Sequence, residues 1–341
     1  MIEFTDVTKS YTVGTHALRG VSLQIEEGSF TAILGKNGSG KSTLLQHLNG
    51  LLKPHSGKVI VGGVDITQPG VPMVQIRKKI GLVFQYPEFQ LFEDTVAKDI
   101  ALGPKNQGLS AEEKARFTAC ATRLSKGEPL QYVVGEAPFG NLRFEVTPAT
   151  LIPRPETLEL VEWIAAEENH RTSLRLLDIG TGTGCIAISI ATMLPQANVS
   201  AWDISVEALT VAERNAQRNG VMVDFKQVDV LAVKEAETYD CIVSNPPYIC
   251  EAEKAEMTDS VLLHEPHTAL FVPNTDPLRF YRAIAQLALS NLSPGGTLYF
   301  EINRAYGAET CNLLRDLGFR DVELRKDFYG NDRMVKAGKA K

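Results

Sequence analysis

The apolar run Tyr239-Asp-Cys-Ile-Val-Ser244 stops abruptly at Asn245-Pro246-Pro247-Tyr248, and this ending restricts the folds open to the chain more than any other stretch. The run reads as a buried strand, and neither proline can donate to a continuing ladder. A stiff, polar-tipped loop at the carboxyl end of a parallel strand is where open α/β sheets bind ligands. Asn245 offers an amide oxygen, Pro246 a carbonyl with no N–H beside it at Pro247, and Tyr248 a flat ring. Two acceptors and an aromatic face suit the gripping of a planar –NH2 group. The same residues also suit a proline-capped strand end without a ligand, so the rest of the chain must decide.

From Arg175 onward, strand and helix patterns alternate. Arg175–Ile179 reads as a short strand, followed by Gly180-Thr181-Gly182-Thr183-Gly184 and an Ala/Ile-rich helix to Leu194. Strands follow at Asn198–Asp203, 224–230 and Tyr239–Ser244, with a helix through Arg218 after the first of them. A helix at 276–291, a strand at 296–302, a helix at 308–317 and strands at 321–326 and 333–337 complete the pattern. Such alternation implies an α/β fold with a doubly wound, Rossmann-like sheet, closed by an antiparallel pair.

The glycine turn departs from the dinucleotide pattern G-x-G-x-x-G. Asp203 ends the next strand nineteen positions after Gly184, the distance at which a carboxylate meets ribose hydroxyls. No arginine or further phosphate-binding element accompanies it. Asp178 and the open turn instead suit a cofactor with a cationic centre and no pyrophosphate, and S-adenosylmethionine fits that description. Asp229, at the end of the third strand, either meets an adenine edge or caps a turn.

A second motif lies upstream. Residues 29–34 read as a buried strand running into Gly35-Lys-Asn37-Gly38-Ser-Gly40-Lys41-Ser42-Thr43 and an apolar helix from Leu44. This is GxxxxGK[ST] in its strand–loop–helix setting. The glycines let backbone N–H groups turn inward around phosphates, Lys41 neutralises their charge, and Ser42 would hold Mg²⁺. These residues resemble the nucleotide-binding subunit of ABC transporters, in particular the cobalt and energy-coupling-factor type. The resemblance implies an ATP/Mg site: Tyr11 stacks on adenine, Gly35, Asn37, Gly38, Gly40, Lys41, Ser42 and Thr43 form the phosphate loop, and Gln85 is the Q-loop glutamine. It stops near residue 108, with no LSGGQ signature, no strand ending in Asp-Glu and no switch histidine. Leu124-Ser-Lys-Gly-Glu128 lacks the signature's second glycine. Without the Walker-B aspartate the metal loses a principal anchor, and phosphoryl transfer depends on such positioning. An incomplete P-loop NTPase fragment without hydrolytic activity is expected.

From about residue 115 onward the chain resembles the HemK/PrmC family, the glutamine N5-methyltransferases of peptide-chain release factors. The resemblance rests on Gly127-Glu-Pro-Leu-Gln-Tyr132, Gly135-Glu-Ala-Pro-Phe-Gly140, Leu151-Ile-Pro-Arg-Pro-Glu156-Thr, the glycine turn, Asn245 to Tyr248, His264-Glu-Pro-His267 and Lys326-Asp-Phe-Tyr-Gly-Asn-Asp-Arg333. It implies S-adenosylmethionine contacts from Gly180, Thr181, Gly182, Thr183, Gly184, Asp203, Asp229, Val230 and Asn245. The substrate glutamine would be held by Asn245, Pro246, Pro247 and Tyr248. Val230 stands where the family has an aromatic residue. Arg154 and Glu156 either order the cofactor entrance or form a solvated pair between two prolines.

The organisation expected is an ABC-type fragment at 1–108, a residual helix and β-hairpin linker at 109–150, and a methyltransferase domain at 151–341. The join falls at Gly108-Leu-Ser-Ala-Glu-Glu113, where Ser110 and Glu113 have the spacing of a capping box. The length of 341 residues leaves room for such modules. Asn-Pro-Pro-Tyr also occurs in adenine-N6 nucleic-acid methyltransferases, but a net charge of -6 provides no global basic field for nucleic acid. A transporter ATP-binding subunit is the other alternative, opposed by its missing second half. Five cysteines without CxxC spacing point to reduced thiols in the cytoplasm. No signal peptide or membrane-spanning apolar run is read.

Overall fold

Apolar and polar residues interleave along Ile2–Thr12 (β1) and Thr15–Ile25 (β2), which pair as an antiparallel hairpin. The computed structural model describes residues 1–12, 15–29, 31–36, 39–77, 79–80, 110–233 and 237–340. Its contacts divide the chain into two units, Met1–Phe92 and Glu93–Lys341. In the first, Lys41–Leu48 (α1), Ser56–Val61 (β3), Val64–Asp65 (β4) and Met73–Arg77 (α2) follow the hairpin. The sheet order is β2-β1-β3-β4, antiparallel throughout. Phe4, Val7, Leu18, Val59 and Val61 meet Leu44 of α1 and Ile76 of α2 in a small core.

The strand expected at 29–34 does not form. Described residues 31–36 carry no strand, and Leu34 is 91% exposed. A strand gains its stability from ladder partners and from burial of its faces. Among the described residues no strand runs alongside this segment, so an apolar, strand-like text is left without a sheet to enter.

The second unit opens with Ala111–Ser125 (α3). Its capping box is formed: Glu113 N–H donates to Ser110 Oγ at 3.2 Å, and Ser110 N–H to Glu113 Oε2 at 2.8 Å. Leu130–Val134 (α4) ends at Gly135, whose φ of 82° supplies the left-handed cap. The hairpin Glu136–Phe139 (β5) and Leu142–Glu145 (β6) places Phe139 and Phe144 edge to face, 5.9 Å apart, in the main core. Pro155–Glu168 (α5) begins with a proline, where a missing N–H costs nothing.

Then follow Arg175–Ile179 (β7), Cys185–Met193 (α6), Asn198–Asp203 (β8), Val206–Asn219 (α7), Asp224–Gln227 (β9) and Tyr239–Ser244 (β10). Ile249–Cys250 (β11), Asp259–His264 (α8), Phe271–Val272 (β12), Arg279–Asn291 (α9) and Leu292–Glu301 (β13) come next. Gly307–Asp316 (α10), Arg320–Lys326 (β14) and Asp332–Gly338 (β15) close the chain.

The seven-stranded sheet runs β14-β15-β13-β10-β7-β8-β9. Its strands from β13 to β9 are parallel, and β15 is antiparallel to both neighbours. Alternating side chains enter opposite layers. Leu176, Cys241, Val243 and Tyr299 join the core beneath α5 and α6; Leu177, Ile242, Leu298 and Phe300 join that beneath α9 and α10. Burial on both faces is why these strands read as continuous apolar runs. No helix among the described residues is long and apolar enough to cross a membrane.

The unpaired segment in the first unit makes a measurable prediction. Amides of residues 31–36 should exchange with solvent at nearly unprotected rates, while those of the β1–β3 ladder are slowed. Leu34→Ala should change stability by no more than about 0.5 kcal/mol. Protection of both segments to the same degree would show a strand there after all.

Candidate active site

The ends of β7 and β10 lie side by side. Ile179 and Ser244 are register partners, and the Ser244 hydroxyl donates to the Ile179 carbonyl at 2.6 Å. From β7 the chain runs outward to β8 and β9, then returns to β10 on the other side. The strand order reverses here, which leaves a crevice beyond the carboxyl ends. A cavity of about 330 Å³ opens there.

One wall is the glycine turn. Gly180 and Thr181 N–H groups donate to the Trp202 carbonyl at 2.8 and 3.0 Å. The Thr181 hydroxyl donates to Asp178 Oδ2 at 2.6 Å, and Gly182 N–H to Asp203 Oδ2 at 2.9 Å. Gly180, Thr181, Gly182 and Thr183 line the cavity, whereas Gly184 does not. A side chain at Gly184 would meet Ile188 Cδ1 at 2.7 Å, on a φ of 81°. That glycine lets the turn pack closely on α6 and α7.

Asp203 lines the cavity and also braces it. Its other oxygen accepts the Ser205 N–H at 2.9 Å, while Ser205 caps α7 through Ala208 N–H at 3.1 Å. Burial pushes the Asp203 carboxyl up, against the backbone hydrogen bonds that favour its charge. Each oxygen keeps a second lone pair for a ligand hydroxyl. Asp229 caps a turn, accepting Leu231 N–H at 2.9 Å, and it lines the cavity as well, with Val230. The strand expected through 230 ends instead at Gln227, because the chain is already bending into the Asp229 turn.

Asn245, Pro246 and Pro247 form the wall from β10. The Asn245 carboxamide is half-buried and makes no side-chain hydrogen bond to the described residues. Tyr248 is not on the cavity wall; it packs against the core beneath α9 and donates its hydroxyl to Glu301 at 3.3 Å. Burial raises its phenol far above the ordinary range.

The third wall is Leu151-Ile-Pro-Arg154 ahead of α5. Arg154 pairs with Glu265, whose side chain is only 1% exposed, and not with Glu156. Glu265 also accepts Ile152 N–H at 3.3 Å. Glu265 escaped the sequence reading as a site residue, although His264-Glu-Pro-His267 contains it. Asn215 escaped as well. Fully buried, its amide donates to the carbonyls of Thr183 and Glu145, both at 3.0 Å, and ties hairpin to turn.

The donor set fits a nucleoside-bearing cofactor with an amino-acid tail. Asp203 suits ribose hydroxyls, the glycine turn admits close backbone approach, and Ile204, Val230, Phe280 and Ile284 offer an apolar shelf for a ring.

In the first unit, Lys41 Nζ donates to the Gly35 and Lys36 carbonyls at 2.7 and 2.9 Å. Tyr11 Oη lies 3.1 Å from Thr43 Oγ1. Gly40, with φ 91°, leads into α1, which carries Lys41, Ser42 and Thr43. Asn37, Gly38 and Gln85 lie outside the described residues.

Asp178 is fully buried, and burial lifts its carboxyl to about 7 despite the Thr181 hydrogen bond. The folded protein therefore holds a proton that the unfolded chain releases above about pH 4. Stability should fall as pH rises from about 4 towards 7, because there the unfolded state binds fewer protons. Asp178→Asn should flatten that slope in urea unfolding at about pH 5 and about pH 8. An unchanged slope would exclude Asp178 as its source.

A family profile described as methyltransferase small domain matches residues 158–272, and one described as ABC transporter matches 18–142. A release factor glutamine methyltransferase from Bacteroides thetaiotaomicron is 49% identical over 245 residues, 71% of this chain and 87% of the relative. Its counterpart from Flavobacterium psychrophilum is 46% identical over 257 residues, 74% of this chain and 90% of the relative. A solved protein-(glutamine-N5) methyltransferase from Alicyclobacillus acidocaldarius is 32% identical, covering 58% of this chain and 100% of that one, with a TM-score of 0.36. The chain thus carries two family texts in succession, and by its identity to relatives of which it covers 87% and 90% it belongs to the release factor glutamine methyltransferase family.

Proposed function

We propose that the second unit transfers a methyl group from S-adenosylmethionine to the side-chain amide nitrogen of a glutamine in a peptide-chain release factor, in the cytoplasm. The observation that carries this reading is the Asn245 carboxamide, without a side-chain hydrogen bond to the described residues, on a cavity wall that it shares with the glycine turn and Asp203.

An amide nitrogen is a poor nucleophile because its lone pair is delocalised into the carbonyl. S-adenosylmethionine, when bound, supplies an electrophilic methyl on a sulfonium. The protein's task is to hold the nitrogen in line and to stabilise the positive charge that grows on it. Asn245 Oδ1 and the Pro246 carbonyl accept the two amide hydrogens. Pro247 stiffens that carbonyl and brings no N–H to compete for it. Asp203 would hold the ribose, Gly180, Thr181, Gly182 and Thr183 would take the amino-acid tail, and Asp229 and Val230 would meet the adenine. No base of shifted pKa is needed beforehand, since the proton becomes acidic only once the new bond has formed. Tyr248 belongs to this site as the anchor of its loop.

The module boundaries proposed are 1–108 for the ABC-type text, 109–150 for the helix and hairpin, and 151–341 for the methyltransferase. For the first of these we propose at most nucleotide binding, through Tyr11, Lys41, Ser42 and Thr43 with Mg²⁺. The unpaired segment at 31–36 argues against the rigid phosphate cradle that hydrolysis requires. Purified protein should show no ATP turnover that Lys41→Ala removes; turnover lost in that variant would overturn this part.

The methyl-transfer reading is tested with labelled cofactor and a glutamine peptide from a release factor. Asn245→Ala should lower kcat by about 10²–10³-fold, as loss of a single transition-state contact does. Asp203→Ala should instead weaken cofactor binding by about 1–3 kcal/mol in calorimetry. A wild-type rate from Asn245→Ala would remove the amide-gripping role. Transfer to an oligonucleotide but not to the peptide would replace the substrate class.

A further inference from the structure

Glu301 ends β13 with its side chain inside the protein, at 2% exposure. Of its two neighbouring strands, β15 pairs Met334 with Glu301 itself, and β10 pairs its last residue, Ser244, with Phe300. Glu301 thus sits at the root of the Asn245-Pro-Pro-Tyr loop. Among the described residues no lysine or arginine reaches it at salt-bridge distance; Arg333 acts on it only through space, and burial pushes its carboxyl up. A buried acidic group with no direct ion partner is costly unless hydrogen bonds satisfy it. Two hydroxyls hold it: Thr157 donates to Oε2 at 2.6 Å, and Tyr248 donates to Oε1 at 3.3 Å.

These two donors come from two different elements: the start of α5 and the loop after β10. Thr157 stands in the first turn of α5, directly after the Ile152-Pro153-Arg154 wall, and itself lines the cavity. Tyr248 closes the loop that carries Asn245 and Pro246. The far end of that loop is pinned separately, because Asn303 Nδ2 donates to the Tyr248 carbonyl at 3.1 Å and to Glu253 Oε1 at 3.0 Å. Asn303 comes two residues after Glu301, so one strand end anchors both the ring and the backbone of Tyr248.

We propose that Glu301 is a positioning residue for the methyl-acceptor amide, setting through Thr157 and Tyr248 the spacing between the α5 wall and the Asn245–Pro246 acceptors. The inference rests on the methyl-transfer reading above. It concerns the acceptor wall of Asn245 and Pro246, whereas cofactor binding is assigned to Asp203 and the glycine turn. Loss of either arm should therefore displace the amide and leave the cofactor in place.

The test uses the full chain, labelled S-adenosylmethionine and the glutamine peptide. Tyr248→Phe and Thr157→Val each remove one hydroxyl while keeping shape. Each should lower kcat by about tenfold or more, as ångström-scale misplacement does, with cofactor affinity in calorimetry changed by less than about twofold. Tyr248→Phe combined with Glu301→Gln should be no worse than the poorer single variant, because both act on one link. Unchanged kcat in both single variants would overturn the proposal. So would a loss of cofactor affinity in step with kcat, which marks general damage to the fold, or full additivity in the double variant. Absence of glutamine methylation by the wild type is a separate outcome: it would fell the functional reading, and this inference with it.

Discussion

The register between β7 and β10 is the constraint on which the rest of the second unit depends. Pairing Ile179 with Ser244 brings the glycine turn and the Asn-Pro-Pro loop out of the sheet at one level. The Ser244 hydroxyl reinforces that register by binding the Ile179 carbonyl at 2.6 Å. A slip of one residue would exchange the two side-chain layers on β10, sending Ile242 towards α5 and α6 and Val243 towards α9 and α10. Both layers are apolar, so hydrophobicity alone resists such a slip less than it would in a one-sided sheet. A buried hydroxyl with a single satisfactory acceptor supplies the discrimination that the apolar faces do not.

Around this register, buried polar side chains convert loops into fixed surfaces. Asp203 accepts the Gly182 and Ser205 N–H groups, both at 2.9 Å, and joins the turn after β7 to the helix after β8. Asn215 accepts the Glu145 N–H at 2.6 Å and donates onward to Thr183, so the hairpin serves as a strut for the glycine turn. Glu265 fixes Ile152 and Arg154 on the third wall of the cavity. Each of these groups would be costly to bury unpaired. Because each is paired across two elements, the cost of burying it is spent on holding those elements at a set distance.

The parts legible in the sequence were those set by local pattern. The apolar runs at 175–179, 198–203 and 239–244 became strands with those bounds, and the Ser110–Glu113 capping box formed as spaced. The proline stop after Ser244 and the acidic end of β8 pointed to the crevice. Glu265, Asn215 and Glu301 were not legible, and for one reason. Their partners Ile152, Glu145 and Thr157 lie 113, 70 and 144 residues away, and an isolated Glu or Asn gives no periodic signal of such a bond. Tyr248 illustrates the converse. Its motif announced a flat ring for a ligand, yet the ring packs on the core, since Glu301 offers its hydroxyl a buried acceptor.

The first unit separates motif from fold more sharply. The phosphate-loop text is intact, and α1 begins at Lys41, three residues ahead of the helix expected from Leu44, after a left-handed Gly40 that approaches the Ala17 carbonyl too closely for any side chain. The segment ahead of it nevertheless has no ladder, because a parallel strand depends on neighbours that come from distant parts of a chain. A loop of this kind binds phosphate when its N–H groups are held inward by a rigid strand and helix on either side. Here only the helix side is built, and the Lys41 ammonium is satisfied by the carbonyls of Gly35 and Lys36 in the same loop. A phosphate would have to compete with those carbonyls and order the unpaired segment at the same time. The local text thus keeps the chemistry of the site, but the free energy needed to form it rests on a sheet that the described residues do not supply.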